Sequence, residues 1–268
     1  MPADAAPRIE NSPMLKDRYE DVLRRVGEAA RKFGRRPEDI IVVAVTKKAS
    51  MDLVRELFDL GHRHFGENRV QQLAARAAQI EEYRERIVEH PGSSGRSAPE
   101  SPLWHMVGAL QRNKVRKAIE TCRLIHSVDS LRLAEEIQIQ SSKRDRVTEV
   151  LIEVNFGEVQ KSGIAAPAVR HLVDQMGSML NVRVRGLMCM APETEDSALV
   201  QNTFERCHEV FEDVRKFIRE SDRIDILSMG MSNDFETAIE CGANLVRIGH
   251  AIVGEPVVES GEDEPDLD

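Results

Sequence analysis

Short apolar runs of strand length alternate with stretches of helical periodicity through almost the whole of this chain. That alternation restricts the fold more than any other feature, because strands separated by helices become parallel neighbours joined by right-handed crossovers. The first run, Ile40–Ile41–Val42–Val43–Ala44–Val45, is apolar throughout and rich in β-branched residues. That is the pattern of a strand buried on both faces. Before it, Tyr19, Val22, Leu23 and Val26 recur at helical spacing over 16–33, with Gly34 as the stop. Further strands are predicted at 63–65, 103–107, 124–128, 149–154, 182–188, 224–227 and 245–248. Helices are predicted over 52–60, from 69, from 112, from Ser130 as N-cap, and over 166–176, 198–220 and 234–240. Eight strands with one extra N-terminal helix suit an α/β fold of one closed (β/α)8 barrel of TIM type, an architecture of roughly 250 residues; this chain has 268. An open dinucleotide-binding sheet would show G-x-G-x-x-G after its first strand, and none is present.

Charge divides the chain into a body and a tail. The net charge is −9, yet the segment 255–268 holds seven acidic residues and no basic one. Without those seven, 39 acidic residues stand against 37 basic ones, a net of −2. We expect three parts: a flexible leader over 1–13, a barrel over 14–254 and a disordered acidic tail over 255–268. A glycine-, proline- and serine-rich stretch over 89–102 reads as a loop inserted before the third strand. A near-neutral body gives no footprint for nucleic acid. No run of about 18 apolar residues predicts a membrane span, and no apolar leader predicts secretion. The expectation is a cytoplasmic monomer. Cys122, Cys189, Cys207 and Cys241 form no C-x-x-C pair and read as reduced, buried thiols.

In a barrel of this kind the chemistry collects at the C-terminal ends of the strands. The first strand ends in Thr46–Lys47–Lys48; a lysine emerging there would lose solvation and present a more nucleophilic amine, or the pair could be exposed loop lysines. The second runs into Phe65–Gly66–Glu67–Asn68, where Asn68 could face a planar ligand or cap the next helix. The seventh ends in Ser228–Met229–Gly230–Met231–Ser232–Asn233 and the eighth in Arg247–Ile248–Gly249–His250. Those two ends are the usual phosphate-binding place of the fold. Trp104 reads as core packing at the barrel mouth, His105 as a hydrogen-bonded structural histidine, and Met188, Met190, Met229 and Met231 as packing around the site. A lysine nucleophile and an anion cradle on one face call for a ligand carrying a carbonyl and a phosphate. Pyridoxal phosphate and a phosphorylated keto-sugar in a Schiff-base aldolase both meet that description.

At these residues the chain resembles the pyridoxal phosphate homeostasis protein family, stand-alone relatives of the N-terminal barrel of alanine racemase. The resemblance runs from about Ile41 to Gly254. Its landmarks are Ala44–Val45–Thr46–Lys47, Phe65–Gly66–Glu67–Asn68, Trp104–His105–Met106–Val107–Gly108 with Leu110–Gln111–Arg112–Asn113–Lys114, His126–Ser127–Val128–Asp129, Lys161–Ser162–Gly163–Ile164, Arg185–Gly186–Leu187–Met188, Leu227–Ser228–Met229–Gly230–Met231–Ser232 and Val246–Arg247–Ile248–Gly249. It implies an alanine-racemase-like barrel, the type III fold of pyridoxal-phosphate proteins. It also implies pyridoxal 5'-phosphate as cofactor, held as a Schiff base on Lys47 with Lys48 as the unbonded neighbour. Phosphate contacts would come from the turn Ser228, Met229 and Ser232 and from the backbone at Gly249 and His250. Arg247 would stand near the pyridine nitrogen and Asn68 beside the cofactor. His250 departs from the family, which shows Ser or Thr there; its imidazole either replaces the hydroxyl or points to solvent.

A racemase needs bases on both faces of its substrate, and alanine racemase takes its second, a tyrosine, from a C-terminal β-domain that does not follow here. Tyr19 and Tyr83 fall in helical stretches away from the strand ends. The expectation is therefore a non-catalytic carrier in intracellular pyridoxal phosphate homeostasis, which buffers or delivers the cofactor through transient contact with apo-enzymes. The alternative is a racemase or lyase using a single lysine base.

Overall fold

The computed structural model describes residues 14–89, 100–157, 162–218 and 224–254. The leader, most of the inserted loop, Lys161 and the acidic tail lie outside them. Nine strands occur among the described residues: β1 (Ile41–Val45), β2 (His64–Glu67), β3 (Leu103–Met106), β4 (Cys122–Val128), β5 (Thr148–Asn155), β6 (Ile164–Ala165), β7 (Val182–Cys189), β8 (Ile226–Ser228) and β9 (Leu245–Ile248). They run in the order β4-β3-β2-β1-β9-β8-β7-β5-β6, and β4 also pairs with β5. That last pairing closes the ring into a parallel barrel of eight strands, as expected, with the two-residue β6 an extra member hanging on β5.

Helices α1 (Leu15–Lys32), α2 (Met51–Asp59), α3 (Val70–Glu89), α4 (Val115–Thr121), α5 (Leu131–Ser142), α6 (Val169–Met176), α7 (Ser197–Phe217), α8 (Phe235–Glu240) and α9 (His250–Val253) surround the barrel. Several begin later than the sequence suggests. Residues 112–114 and 166–168 are tight 3-10 turns that lead into α4 and α6. Ser130 does precede α5, but its side chain makes no capping hydrogen bond. The helix α9, at the end of the last strand, is absent from the sequence reading because four residues carry no periodicity. Gly34 follows α1 at φ 72°, as a helix stop should.

Alternation along each strand sorts side chains into two cores. Val42, Ala44, Phe65, Trp104, Met106, Ile152 and Leu187 face the helices and join one large apolar cluster. Val43, Leu124, Leu151, Met188, Ile226 and Leu245 face inward and form a small one, flanked by Ile41, Val107 and Met190. Trp104 is buried, but its partner is Phe65 at 5.2 Å between ring centroids. It therefore packs under the helices rather than at the barrel mouth, because its parity on β3 is outward. All four cysteines are free and buried. No helix among the described residues is long and apolar enough to cross a membrane.

Candidate functional site

The turn after β1 is held from outside the barrel. Lys47 and Lys48 are both exposed, the exposed-loop alternative rather than a desolvated amine: the strand stops at Val45 and the lysine stands beyond the apolar run. What the structure supplies instead is a clamp on the backbone beneath it. Thr46 is buried and donates its hydroxyl proton to Glu67 Oε1 at 2.5 Å. Arg76 donates to that same carboxylate oxygen at 2.7 Å, to the Thr46 carbonyl, and to the Ala49 carbonyl at 2.5 Å. One helical turn away on α3, Gln72 donates to the Lys47 carbonyl at 2.9 Å. Residues four apart share a helix face, so Gln72 and Arg76 grip three carbonyls of the four-residue stretch 46–49. Burial raises the Glu67 carboxyl above the ordinary range, against the pull of Thr46 and Arg76. Its second oxygen, Oε2, is buried with no hydrogen-bond partner among the described residues.

The other side of the same barrel face is built by the ends of β8 and β9. Gly230 has φ 88°, and a Cβ there would lie 2.6 Å from the Ala238 Cβ and 2.8 Å from the Phe235 Cα. Only glycine suits that turn. Its carbonyl accepts from Arg247 N–H at 3.0 Å, and Met229 N–H donates to the Leu245 carbonyl at 3.1 Å, tying the two turns together. Ser232 Oγ receives the N–H groups of Gly249 at 3.2 Å and Ala251 at 3.3 Å. Two backbone donors thus converge on the Ser232 hydroxyl oxygen. The backbone above Gly249 is open, since a Cβ there would meet nothing nearer than the Val45 carbonyl at 3.6 Å.

The remaining candidate residues divide. Met229 is fully buried in the outer core, so it can serve the turn only through its backbone. Ser228 is turned inward, where Arg247 Nη1 donates to its Oγ at 2.7 Å and His126 Nδ1 lies 3.1 Å from it. Arg247 is buried and also donates to the Cys189 carbonyl at 2.9 Å. Among the described residues no carboxylate comes within ion-pair distance of it. Burial lowers its pKa, while Cys189, Asp234 and Glu153 favour its charge. The His250 side chain is exposed, the solvent-facing alternative. Asn68 is half-buried, its backbone against Gly108, where a Cβ would come 2.4 Å from the Asn68 carbonyl oxygen. Among the described residues its side-chain amide has no hydrogen-bond partner.

Two features escaped the sequence reading. Glu153 on β5 is buried, its Oε1 accepts from Ser162 Oγ at 2.7 Å, and burial raises its carboxyl. A lone acid inside Leu151–Ile152–Glu153–Val154 was the available signal. The Gln72–Arg76 clamp carried none beyond a spacing of four.

A closed parallel barrel with an accessible lysine after its first strand and converging donors after its last two is a (β/α)8 protein whose C-terminal face carries the groups that a small anionic ligand would need. The family model for the alanine racemase N-terminal domain matches residues 26–256, and the chain belongs to that family. The pyridoxal phosphate homeostasis protein of Aquifex aeolicus is 34% identical over 240 residues, covering 89% of this chain and 97% of its own. That of Escherichia coli K12 is 34% identical over 232 residues, covering 86% and 92%. Among solved structures, PipY of Synechococcus elongatus with PLP bound superposes with a TM-score of 0.69 at 28% identity, over 87% of this chain and all of that one. Alanine racemase from Corynebacterium glutamicum, at 15% identity and a TM-score of 0.63 over 92% of this chain and 64% of its own, shares the fold.

The clamp yields a stability test. Arg76→Met should leave the Glu67 carboxylate buried without its cation, a loss of about 3–5 kcal/mol at neutral pH. The folded carboxyl, already raised by burial and now lacking Arg76, binds a proton at higher pH than the unfolded one. The folded state therefore holds more protons, and the variant should regain stability as pH falls through that range. Denaturant unfolding of both proteins from neutral to mildly acidic pH checks this; a gap that widens in acid would contradict the clamp.

Proposed function

We propose that this chain binds pyridoxal 5'-phosphate on Lys47 and acts inside the cell as a non-catalytic carrier in pyridoxal phosphate homeostasis, with residues 14–254 as the functional unit. The observation that carries the reading is the pairing, on one barrel face, of an exposed lysine on a clamped turn with the Ser232–Gly249–Ala251 donors. The names of the curated relatives and the PLP bound to PipY support it.

When bound, the cofactor supplies an aldehyde that amines take up reversibly and a pyridine ring that can draw electrons from them. Lys47 offers the amine, and its exposure leaves it open to competing amines, as delivery to apo-enzymes requires. Ser232 and the N–H groups of Gly249 and Ala251 would hold the phosphate, and Asn68 offers its free amide at the edge of the site. Arg247 can only donate hydrogen bonds and stays charged. Beside a ring nitrogen it disfavours a proton there, which weakens the ring as an electron sink. Neither tyrosine can act as a second base: Tyr19 bonds His62 at 3.1 Å, and Tyr83 reaches Asp59 at 2.9 Å, both outside the barrel.

Borohydride reduction of the loaded protein followed by peptide mapping should place the pyridoxyl group on Lys47; recovery on Lys48 would overturn the assignment. Gly249→Leu should fold, since a Cβ fits there, and should weaken pyridoxal phosphate at least tenfold while barely affecting unphosphorylated pyridoxal. Equal losses in the two titrations would remove the phosphate cradle. Incubation with single amino-acid enantiomers in deuterated water should leave the α-carbon unlabelled. Deuterium uptake with inversion, lost in Lys47→Ala, would establish a racemase instead.

A further inference from the structure

Three imidazoles stand in file inside the barrel. His64 Nδ1 lies 3.0 Å from His105 Nε2, His105 Nδ1 lies 2.9 Å from His126 Nε2, and His126 Nδ1 lies 3.1 Å from Ser228 Oγ. The file starts at the N-terminal end of β2, where His64 is half-buried, and finishes at the C-terminal end of β8 beside Arg247. His105 and His126 are buried along its length. We infer that His64, His105 and His126 form a proton-ordering relay that sets the hydroxyl of Ser228 and through it positions Arg247.

The argument rests on donors and acceptors. A neutral imidazole donates from one nitrogen and accepts at the other, so every contact in the file, each joining an Nδ1 to an Nε2 or to the hydroxyl, fixes the next. Arg247 only donates, and it occupies one lone pair of Ser228 Oγ. In one arrangement the Ser228 hydroxyl donates to His126 Nδ1, His126 Nε2–H to His105 Nδ1, and His105 Nε2–H to His64 Nδ1. His64 then keeps its own proton on Nε2. In the other, each contact is reversed and His126 Nδ1–H donates to Ser228 Oγ, whose proton must find a different acceptor. Among the described residues Ser228 Oγ has no hydrogen-bond partner besides Arg247 and His126. The first arrangement therefore holds at neutral pH, with Ser228 turning lone pairs toward the guanidinium and its proton away.

Protonation of His64 reverses the file. A charged His64 has a proton on both nitrogens, and its Nδ1–H cannot face the Nε2–H of His105. Both inner histidines must then carry their protons on Nδ1, and the Ser228 hydroxyl proton turns away from His126 toward the site. The balance is one proton gained from solvent at His64, with no charge placed on His105 or His126. Several groups face the file. Burial first, then Arg63 next to His64 and Arg123 from β4, oppose a cation on His64 and hold its pKa below the ordinary histidine value. Arg123 is itself paired with Glu149, which also meets Arg185 of β7. His62, His64 and Arg123 act on His105, and Arg247 acts on His126. Burial keeps both neutral, pushing His105 down to about 3 and His126 well below the ordinary histidine value. The switch therefore belongs to His64 and lies below the ordinary histidine range.

The consequence for the cofactor rests on the proposed placement of Arg247, but the relay can be tested without it. In cofactor-free protein labelled with 15N-histidine, long-range 1H–15N spectra report each tautomer. His105 and His126 should both be Nε2–H at neutral pH and should both change to Nδ1–H as His64 titrates. His64→Gln should abolish that acid change, and Ser228→Ala should release His126 while the protein stays folded. In loaded protein, His64→Gln should remove the matching pH dependence of the visible band. Unlike tautomers at neutral pH, or inner histidines that stay unchanged when His64 becomes charged, would overturn the relay. Failure to bind the cofactor would sink the functional proposal and leave the spectra of the free protein to judge the relay.

Discussion

Inside a closed barrel of eight strands there is room only for side chains, and water cannot make up for a missing partner. Each inward residue must be apolar or bonded to another inward residue, and the whole interior follows from that constraint. At the N-terminal rim, Glu149 of β5 gathers Arg123 and Arg185, and Arg185 also bonds Asp225 at 2.6 Å. Above it, Val43, Leu124, Leu151, Ile226 and Leu245 fill the section without a polar atom. The histidines thread past this layer, and Ser228, Arg247 and Glu153 lie toward the site. An inward residue in such a stack is therefore legible as a partner of its neighbours around the ring, not along its strand.

The lysine turn obeys a different rule. Past Thr46, whose N–H still bonds the Gly66 carbonyl of β2 at 3.0 Å, the barrel no longer holds it, and the carbonyls of Lys47 and Ala49 take their donors from α3. The Glu67–Arg76 pair provides them at the expense of burying two charges. Such a pair is weak evidence for stability, since an apolar replacement can do as well. Its geometry argues instead for precision: Arg76 bonds Thr46 and Ala49 on either side of Lys47, and Gln72 bonds Lys47 itself. An exposed lysine on an unclamped turn would sample many positions, whereas here only its side chain is free.

Most of the architecture was legible because two periods, one of strands and one of helices, repeat eight times; boundaries moved by a few residues and the closure of β4 on β5 completed the expected ring. The turns at Gly230 and Gly249 were visible as glycine-containing strand ends, the first of them leading into a helix. Trp104 was read as core, but on the wrong side, because strand parity depends on register and register is set across strands. The solvation of Lys47 stayed open between a desolvated amine and an exposed loop, because the apolar run before it does not show that the chain emerges into solvent just past the buried Thr46. Hydrogen bonds such as His105 to His126 join residues 21 apart on neighbouring strands, and no local pattern records them.

Arg247 draws these observations together. It is a buried cation with no carboxylate at ion-pair distance among the described residues, and one partner, the Ser228 hydroxyl, can either receive its N–H with lone pairs free or present a proton of its own. An aspartate at that place would change its charge with the surroundings, whereas a guanidinium stays charged, so any tuning must come from its partners. The partners are a backbone carbonyl, which cannot change, and a hydroxyl whose proton is set by a file of imidazoles. Beside the carboxyls of Asp234 and Glu153, which favour its charge, that file is a route by which acidity reaches the site, and it opens to solvent at His64, on the face of the barrel opposite Lys47. A carrier with this construction would sense acidity at one end and adjust its hold on a ring at the other, without moving a strand.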